Sequence, residues 1–240
     1  MLVRTPAIVL SAIKYSESDL IARLYTRELG TQSFILKGIR KSRKGKLRTS
    51  FFQPLTQLEI ETQYKGKGTL EYIKEARVTF PYQNIYTDIV KSSITLFFSE
   101  ILTQLLTEQQ PDEELFEYLS YVFQYLDQSD HVANFSIKTL LDMTSFLGFQ
   151  PDGATKQFTY FNMLNGNFDE NGLQPHHLTN VESEQLKEFI GTNFDSIHEI
   201  KMNREDRNNL LNLVVAYFQI HLQTFKKPNS LSILKQLFDK

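Results

Sequence analysis

Residues 57–78, QLEIETQYKGKGTLEYIKEARV, carry the clearest structural signal in the chain. Leu58 and Ile60 alternate with glutamates, which is the two-residue period of a β-strand with one apolar face. The following sequence Lys65-Gly66-Lys67-Gly68 is typical of a turn, and residues 69–78 then predict a return strand. This stretch therefore predicts a β-hairpin.

Three further strands precede this hairpin. They are predicted at residues 3–13, 20–25 and 31–37, and Gly30 supports a tight turn between the second strand and the third. Five short strands within about 80 residues close best as a small barrel or a sandwich. The N-terminal part of the chain is therefore predicted to be all-β.

After Pro81 the apolar residues recur with the 3.6-residue period of amphipathic helices. Residues 151–175 break this pattern because they are rich in Gly, Asn and Asp, and we interpret them as a loop or small hairpin. The fold class is therefore α+β, a five-stranded barrel followed by an all-helical domain. The predicted helices cover residues 94–106, 112–126, 137–147, 182–190 and 205–225, with a short last helix after Ser230.

Charge divides the chain at the same place. The first 80 residues hold 15 lysines and arginines against 7 acidic residues. The remaining 160 residues hold 11 lysines and arginines against 21 acidic residues. Such asymmetry indicates two units with different partners, and we place them at residues 1–80 and 81–240. A basic unit is typical of proteins that bind a polyanion, most often nucleic acid, and we assign the acidic helical unit to protein interaction.

The composition excludes several classes of protein. There is no cysteine, so disulfide frameworks, thiolate catalysis and cysteine-built zinc or iron–sulfur sites are excluded. No apolar run of about 18 residues occurs, and the N-terminus lacks the apolar core of a signal peptide. We therefore expect a cytoplasmic protein without a membrane segment. The 19 Phe and 11 Tyr argue against a disordered chain.

The sequence contains no recognisable enzyme motif. It lacks the G-x-S-x-G, H-E-x-x-H, phosphate-loop and dinucleotide-binding patterns. The adjacent histidines His176 and His177 are interpreted as loop residues rather than metal ligands, because neighbouring side chains usually diverge. We therefore expect no enzyme activity, no cofactor and no bound metal.

Residues 37–48, KGIRKSRKGKLR, form the densest run of positive charge. This run has seven basic residues in twelve and no acidic residue, and Gly38 and Gly45 give it flexibility. Because binding loops lie between the strands of small barrels, the run predicts a phosphate-binding loop; a solvated surface loop is the alternative. The predicted DNA-binding residues are Lys37, Arg40, Lys41, Arg43, Lys44, Lys46, Arg48 and Phe51.

Three phenylalanines flank this basic run. Phe34 is interpreted as barrel core, whereas one ring of the adjacent pair Phe51 and Phe52 is expected inside the barrel and the other outside. An aromatic ring beside cations can stack on unpaired bases. Because nothing in the chain resembles a recognition helix, we predict backbone and stacking contacts on single strands or junctions rather than base readout.

Two other functions fit the same basic run. A protein-interaction adaptor would use it against an acidic protein surface, so that DNA would not compete for it. An RNA-binding OB-fold protein of the translation apparatus would prefer RNA over a matched DNA oligonucleotide.

Short motifs in order along the chain suggest a family. The N-terminal motifs are AIVL (7–10), ESD (17–19), YTRELG (25–30), KGIRKS (37–42) and QP (53–54). The later motifs are FSEIL (98–102), Pro111, LF (115–116), LGFQP (147–151), HL (221–222) and SLSIL (230–234). Each motif alone is weak, but the ordered set covers nearly the whole chain and resembles the RecO family of bacterial DNA repair and recombination mediators.

The resemblance implies an OB-fold N-terminal domain that binds single- and double-stranded DNA and anneals complementary strands. It also implies two protein partners, RecR and the C-terminal tail of single-strand-binding protein. With these partners the family helps to load RecA onto DNA coated with single-strand-binding protein. A cytoplasmic, nucleoid-associated location follows from the same resemblance.

The tail of single-strand-binding protein is acidic and ends in a hydrophobic residue, so its receptor is expected to be an apolar pocket with a basic rim. The resemblance places this contact in the third helix, where Lys138 lies. The alternative for each candidate is an ordinary surface lysine. Further candidates lie near the C-terminus, at Lys226, Lys227 and Lys235.

The chain departs from the family pattern at one place. Many members carry four zinc-binding cysteines in the loop after the equivalent of Leu147-Gly148, and this chain has none. The loop at about 150–178 keeps the place of the zinc finger but not its ligands, so we expect no zinc there. We predict that aromatic packing holds the loop instead, through Phe158, Tyr160, Phe161 and Phe168.

Overall fold

The computed structural model describes residues 1–41, 47–66, 70–107, 110–172 and 174–237. Contacts between residues divide the chain into two compact units, residues 1–128 and 129–240. No helix within the described ranges is both long enough and apolar enough to cross a membrane.

The first unit begins with a five-stranded closed barrel, as the sequence predicted. The strands are β1 (Leu2–Lys14), β2 (Leu20–Thr26), β3 (Gly30–Leu36), β4 (Gln57–Gln63) and β5 (Glu71–Phe80). Around the barrel the strand order is β1-β2-β3-β5-β4, and β4 also pairs with β1. Neighbouring strands are antiparallel except for β3 and β5, which run parallel.

The middle of β1 is buried on both faces, but against different neighbours. Ala7 and Val9 belong to the apolar cluster inside the barrel, to which Phe34 also contributes, as predicted. Ile8 and Leu10 alternate with them and are completely buried outside that cluster. A helix packs against β1, and its Ser99 hydroxyl donates a hydrogen bond of 2.6 Å to the Leu10 carbonyl.

That helix is α1 (Ile89–Leu105), and α2 (Glu113–Gln128) follows it within the same unit. The Asp88 carboxylate caps the N-terminus of α1 by accepting hydrogen bonds from two backbone N–H groups. At the other end, the Arg23 guanidinium of β2 donates to the Thr103 carbonyl at 3.4 Å and the Leu106 carbonyl at 3.2 Å. A barrel side chain thus satisfies carbonyls at the C-terminal end of α1.

A buried carboxylate holds the connection between the barrel and these helices. Asp127, near the end of α2, accepts hydrogen bonds from the backbone N–H groups of Gln83 (3.0 Å), Asn84 (2.7 Å) and Ile85 (2.8 Å). The Lys91 ammonium donates to the Asp127 backbone carbonyl at 2.8 Å. The change from strand to helix after Phe80 therefore lies within the first compact unit, and a domain boundary at that residue stays a prediction.

The second unit contains the remaining helices and a small hairpin. The hairpin, β6 (Tyr160–Asn162) with β7 (Asn167–Asp169), lies in the segment predicted as a loop or hairpin. Helix α5 (Arg204–His221) is shorter than predicted. It ends before Leu222, and the Phe225 N–H then donates to the Leu222 carbonyl in a turn ahead of Pro228. The helices are α3 (Phe135–Leu147), α4 (Asn180–Phe189), α5 (Arg204–His221) and α6 (Ser230–Leu237).

Candidate nucleic-acid interface

The predicted DNA-binding run falls in the part of the sequence between β3, which ends at Leu36, and β4, which begins at Gln57. The structure describes only part of it. Three of the predicted residues, Arg43, Lys44 and Lys46, lie outside the described ranges. The predicted residues that the structure does place are Lys37, Arg40, Lys41, Arg48 and Phe51.

Residues 37–41, here called the basic turn, are held against the barrel by hydrogen bonds and by one buried side chain. Gly38 adopts a φ of +66°, which favours glycine, and its N–H donates to the Asp19 carboxylate at 2.8 Å. The Lys41 N–H donates back to the Gly38 carbonyl at 3.1 Å. The Ile39 side chain is only 3% exposed and joins the barrel core. Gly38 was expected to give the segment flexibility, which stays a prediction; in the structure it occupies a hydrogen-bonded turn.

The β1–β2 loop is the surface on which this turn lies. The Arg40 N–H donates to the Ser18 carbonyl at 3.0 Å, and its guanidinium donates to the carbonyls of Ser16 at 3.3 Å and Glu17 at 2.9 Å. These partners are neutral, so the positive charge of Arg40 is positioned but not cancelled. The Lys41 ammonium lies 3.9 Å from the Glu17 carboxylate; both groups are strongly exposed, which makes this ion pair weak.

Asp19 is the acid that holds the turn, and its environment keeps it ionised. The hydrogen bond from the Gly38 N–H, followed by that from the Ser18 hydroxyl, lowers the pKa of Asp19 below its usual value of 3.8. The positive charge of Lys37 lowers this pKa further. The basic turn is therefore anchored by a carboxylate that remains charged at neutral pH.

Two exposed tyrosines belong to the segments that contact the basic turn, and neither was predicted from the sequence. The Lys37 ammonium lies 5.2 Å from the centroid of the Tyr72 ring, and 44% of Tyr72 is exposed. Tyr15, at the start of the β1–β2 loop, is 60% exposed. For Tyr72 a signal was available, because it alternates with the buried Ile73 and shares the outward face of β5 with Lys74.

The phenylalanine pair after the basic run packs largely inward. Phe52 is buried in the barrel core, while Phe51 is half-buried and packs against that core together with Leu47. One ring is thus inside, as predicted, but the other lies against the barrel and does not project freely. Arg48 is exposed at the start of a short 3-10 helix, Thr49–Phe52. Stacking of Phe51 on bases stays a prediction.

The lysines predicted to bind a partner have different environments within the second unit. Lys138 is buried in α3, pairs with Asp142, and its ammonium lies 5.7 Å from the centroid of the Phe194 ring. The alternative of an ordinary surface lysine is therefore wrong for Lys138. Lys226 and Lys227 are exposed, and Lys235 is half-buried. Their role in partner binding stays a prediction.

Aromatic packing supports the hairpin that occupies the place of the zinc finger. Phe161 and Phe168 are buried, with ring centroids 5.0 Å apart. His177 is hydrogen-bonded to Asp169, with Nε2 2.8 Å from Oδ2, and this contact helps to lower the pKa of Asp169 despite its partial desolvation. Phe158 and Tyr160 are half-buried. Within the described ranges, no three histidine or acidic side chains come together in a group that could hold a metal ion.

A closed five-stranded barrel with its connections on the rim, followed by helices, is the architecture of an OB-fold protein with a helical extension. Comparison with known families gives the particular group. The family described as Recombination protein O N terminal matches residues 1–82, and Recombination protein O C terminal matches residues 86–230. The chain belongs to the RecO family of DNA repair proteins.

Individual proteins of this family are similar in sequence to the chain over nearly its full length. The chain is 43% identical to the DNA repair protein RecO of Christiangramia forsetii over 238 residues, covering 99% of this chain and 100% of that protein. It is 38% identical to the protein of the same name from Flavobacterium psychrophilum over 242 residues, with coverage of 99% and 100%. Identity to the protein of that name from Phocaeicola vulgatus is 34% over 243 residues, with the same coverage.

Proposed function

We propose that the chain is a recombination mediator that binds single- and double-stranded DNA through the basic run at residues 37–48. The observation that carries this proposal is the basic turn, in which backbone carbonyls hold the exposed Arg40 guanidinium and Asp19 holds the backbone at Gly38. Exposed cations in fixed positions are suited to contact the phosphates of a nucleic-acid strand, and membership of a DNA repair family selects DNA as the polyanion.

Annealing follows from this way of binding. Lysine and arginine side chains neutralise phosphates and release condensed counterions, so two bound strands repel each other less. Base pairing then supplies the driving force for annealing. Hydrolysis of a nucleotide is not required, and we propose a role in which the chain acts without being an enzyme.

The helical part is proposed to recruit proteins at the nucleoid. RecR and the acidic tail of single-strand-binding protein are the proposed partners, and their recruitment would help to load RecA onto coated DNA. The exposed lysines after α5, Lys226 and Lys227, are suited to an acidic tail, with Lys235 of α6 nearby in sequence. Lys138 would contribute through its buried ion pair with Asp142 rather than as an exposed cation.

The DNA-binding proposal is tested by fluorescence anisotropy with a labelled single-stranded oligonucleotide at several salt concentrations. Replacing Arg40, Lys41, Arg43 and Lys44 by alanine should weaken binding. The dependence of log affinity on log salt should also become shallower, by about one for each phosphate that the variant no longer neutralises. A smaller variant, R40A/K41A, should show part of the same change.

The matched control removes the same two residue types from the second unit, as K201A/R204A. Both of these residues are exposed. The control should bind with the native affinity and the native salt dependence. If the variants of the basic turn bind like the native chain, the turn is not the DNA site and the adaptor function gains support. Tighter binding of a matched RNA strand would favour the RNA-binding alternative.

A further inference from the structure

The exposed aromatic rings beside the basic turn suggest how a strand would be held. Tyr72 and Tyr15 are 44% and 60% exposed, whereas the phenylalanine of the predicted interface, Phe51, packs against the barrel core. A single exposed tyrosine is ordinary for a protein surface. Here, however, Tyr72 contacts Lys37 of the basic turn directly, and the backbone of Tyr15 is hydrogen-bonded to Asp19, the residue that holds this turn.

Tyr72 is linked through Lys37. Its strand position pairs with Ile35 of β3, two residues before Lys37, and this pairing brings the ammonium to 5.2 Å from the ring centroid. A lysine over one face of a tyrosine ring attracts and orients that ring. The orientation is suited to a base that stacks on the ring while the neighbouring phosphate approaches Lys37.

Tyr15 is linked through the β1–β2 loop. Its N–H donates to the Asp19 carbonyl at 3.1 Å, and the Asp19 carboxylate in turn accepts from the Gly38 N–H. The same short loop supplies the carbonyls that position Arg40. Tyr15 therefore belongs to the loop that holds the basic turn, and Tyr72 belongs to the strand that contacts its first residue.

We propose that Tyr72 and Tyr15 form a stacking platform for the unpaired bases of single-stranded DNA, whose phosphates contact the basic turn. This inference rests on the proposed DNA binding and adds to it a preference for single-stranded over double-stranded DNA. Bases in a duplex are stacked on each other, so only an unpaired strand can use the rings. The platform would therefore favour single over double strands without reading sequence, because every base offers a π-face.

The test compares two fluorescein-labelled strands of equal length on the full chain: an oligothymidylate, and a strand that carries the same phosphates but abasic sites in place of bases. Y72L and Y15L should each weaken oligothymidylate binding about tenfold. Neither should change binding of the abasic strand, nor the salt dependence, because both variants keep every charge. Y72F keeps the ring and should bind like the native chain.

The matched control is Y121L, which removes a tyrosine of similar exposure, 51%, from α2. It should leave the affinity for both strands unchanged. The inference is overturned if the native chain binds the two strands equally, or if Y72L and Y15L bind oligothymidylate with native affinity. Phosphate binding would survive either of those results. If the native chain binds neither strand, the proposed DNA binding falls together with the platform.

Discussion

At the scale of the residue, Leu55 has the least usual backbone among the residues that the structure describes. Its φ of +63° lies in the left-handed region, and its side chain is completely buried. The N–H donates to the Val9 carbonyl at 2.7 Å, and the Leu55 carbonyl accepts from the Tyr82 hydroxyl at 3.2 Å. Burial and these hydrogen bonds hold the residue against a conformational cost of about 1–2 kcal/mol for a side chain with a Cβ.

This conformation predicts an unusual order of stability for two variants. L55A should destabilise the protein by about 2–4 kcal/mol, because it empties a buried site and keeps the strain. L55G empties the same site but relieves the strain, so it should be more stable than L55A by about 0.5–1 kcal/mol. Urea unfolding of the two variants measures the difference, and a less stable L55G would show that the backbone is not strained there.

At the scale of the element, Asp19 joins the β1–β2 loop to the basic turn. Its folded pKa lies below its unfolded value of 3.8, so its stabilisation is complete above about pH 4 and is lost as the pH falls through the folded pKa. The basic turn should loosen in acid for this reason. The same loosening should occur at neutral pH when the carboxylate is removed.

The contribution of the Asp19 carboxylate to holding the basic turn can be measured by amide hydrogen exchange at Gly38. Exchange at neutral pH should be several-fold faster in D19A than in the native chain, because the N–H loses its acceptor. D19N keeps an oxygen acceptor without the charge, so its exchange rate at Gly38 should lie between those of D19A and the native chain. Native protection of Gly38 in D19A would mean that Ile39 and the Arg40 hydrogen bonds hold the turn without the carboxylate.

At the scale of the whole molecule, the barrel depends on the helices that follow it. Ile8, Leu10 and Tyr25 are buried outside the interior cluster, and the Tyr25 hydroxyl donates to the Asp112 carbonyl at 3.0 Å. Burial raises the pKa of Tyr25 to about 12, in keeping with a hydroxyl that remains protonated as a donor. A fragment that ends at residue 80 would expose these side chains.

We therefore predict that a fragment of residues 1–128 unfolds cooperatively, whereas residues 1–80 are much less stable or aggregate. Burying three large side chains contributes about 1.5–3 kcal/mol each, which is a large part of the stability of a small domain. Thermal unfolding followed by circular dichroism compares the two fragments. Equal midpoints would instead support the sequence division after Phe80 as a domain boundary.

Much of the fold could be predicted from local pattern. The alternation of Leu58 and Ile60, and the helical stripe from Ile94 to Leu106, lie within single elements, so neighbouring residues carry the signal. The barrel, the helical part and a loop or small hairpin at residues 151–175 were predicted in this way. The end of α5 was not, because Leu222 and Phe225 continue the apolar spacing after the backbone has left the helix.

The amino-acid sequence by itself determined the strands, the helices, the basic run and the family, since each depends on residues close together in the chain or on their order. Only the tertiary structure decided which side chains meet. Lys37 lies over Tyr72 because β3 and β5 pair in parallel across more than thirty residues, and the buried Lys138 lies near the ring of Phe194, more than fifty residues further along the chain. Such contacts depend on how distant segments are brought together, which local periodicity does not encode.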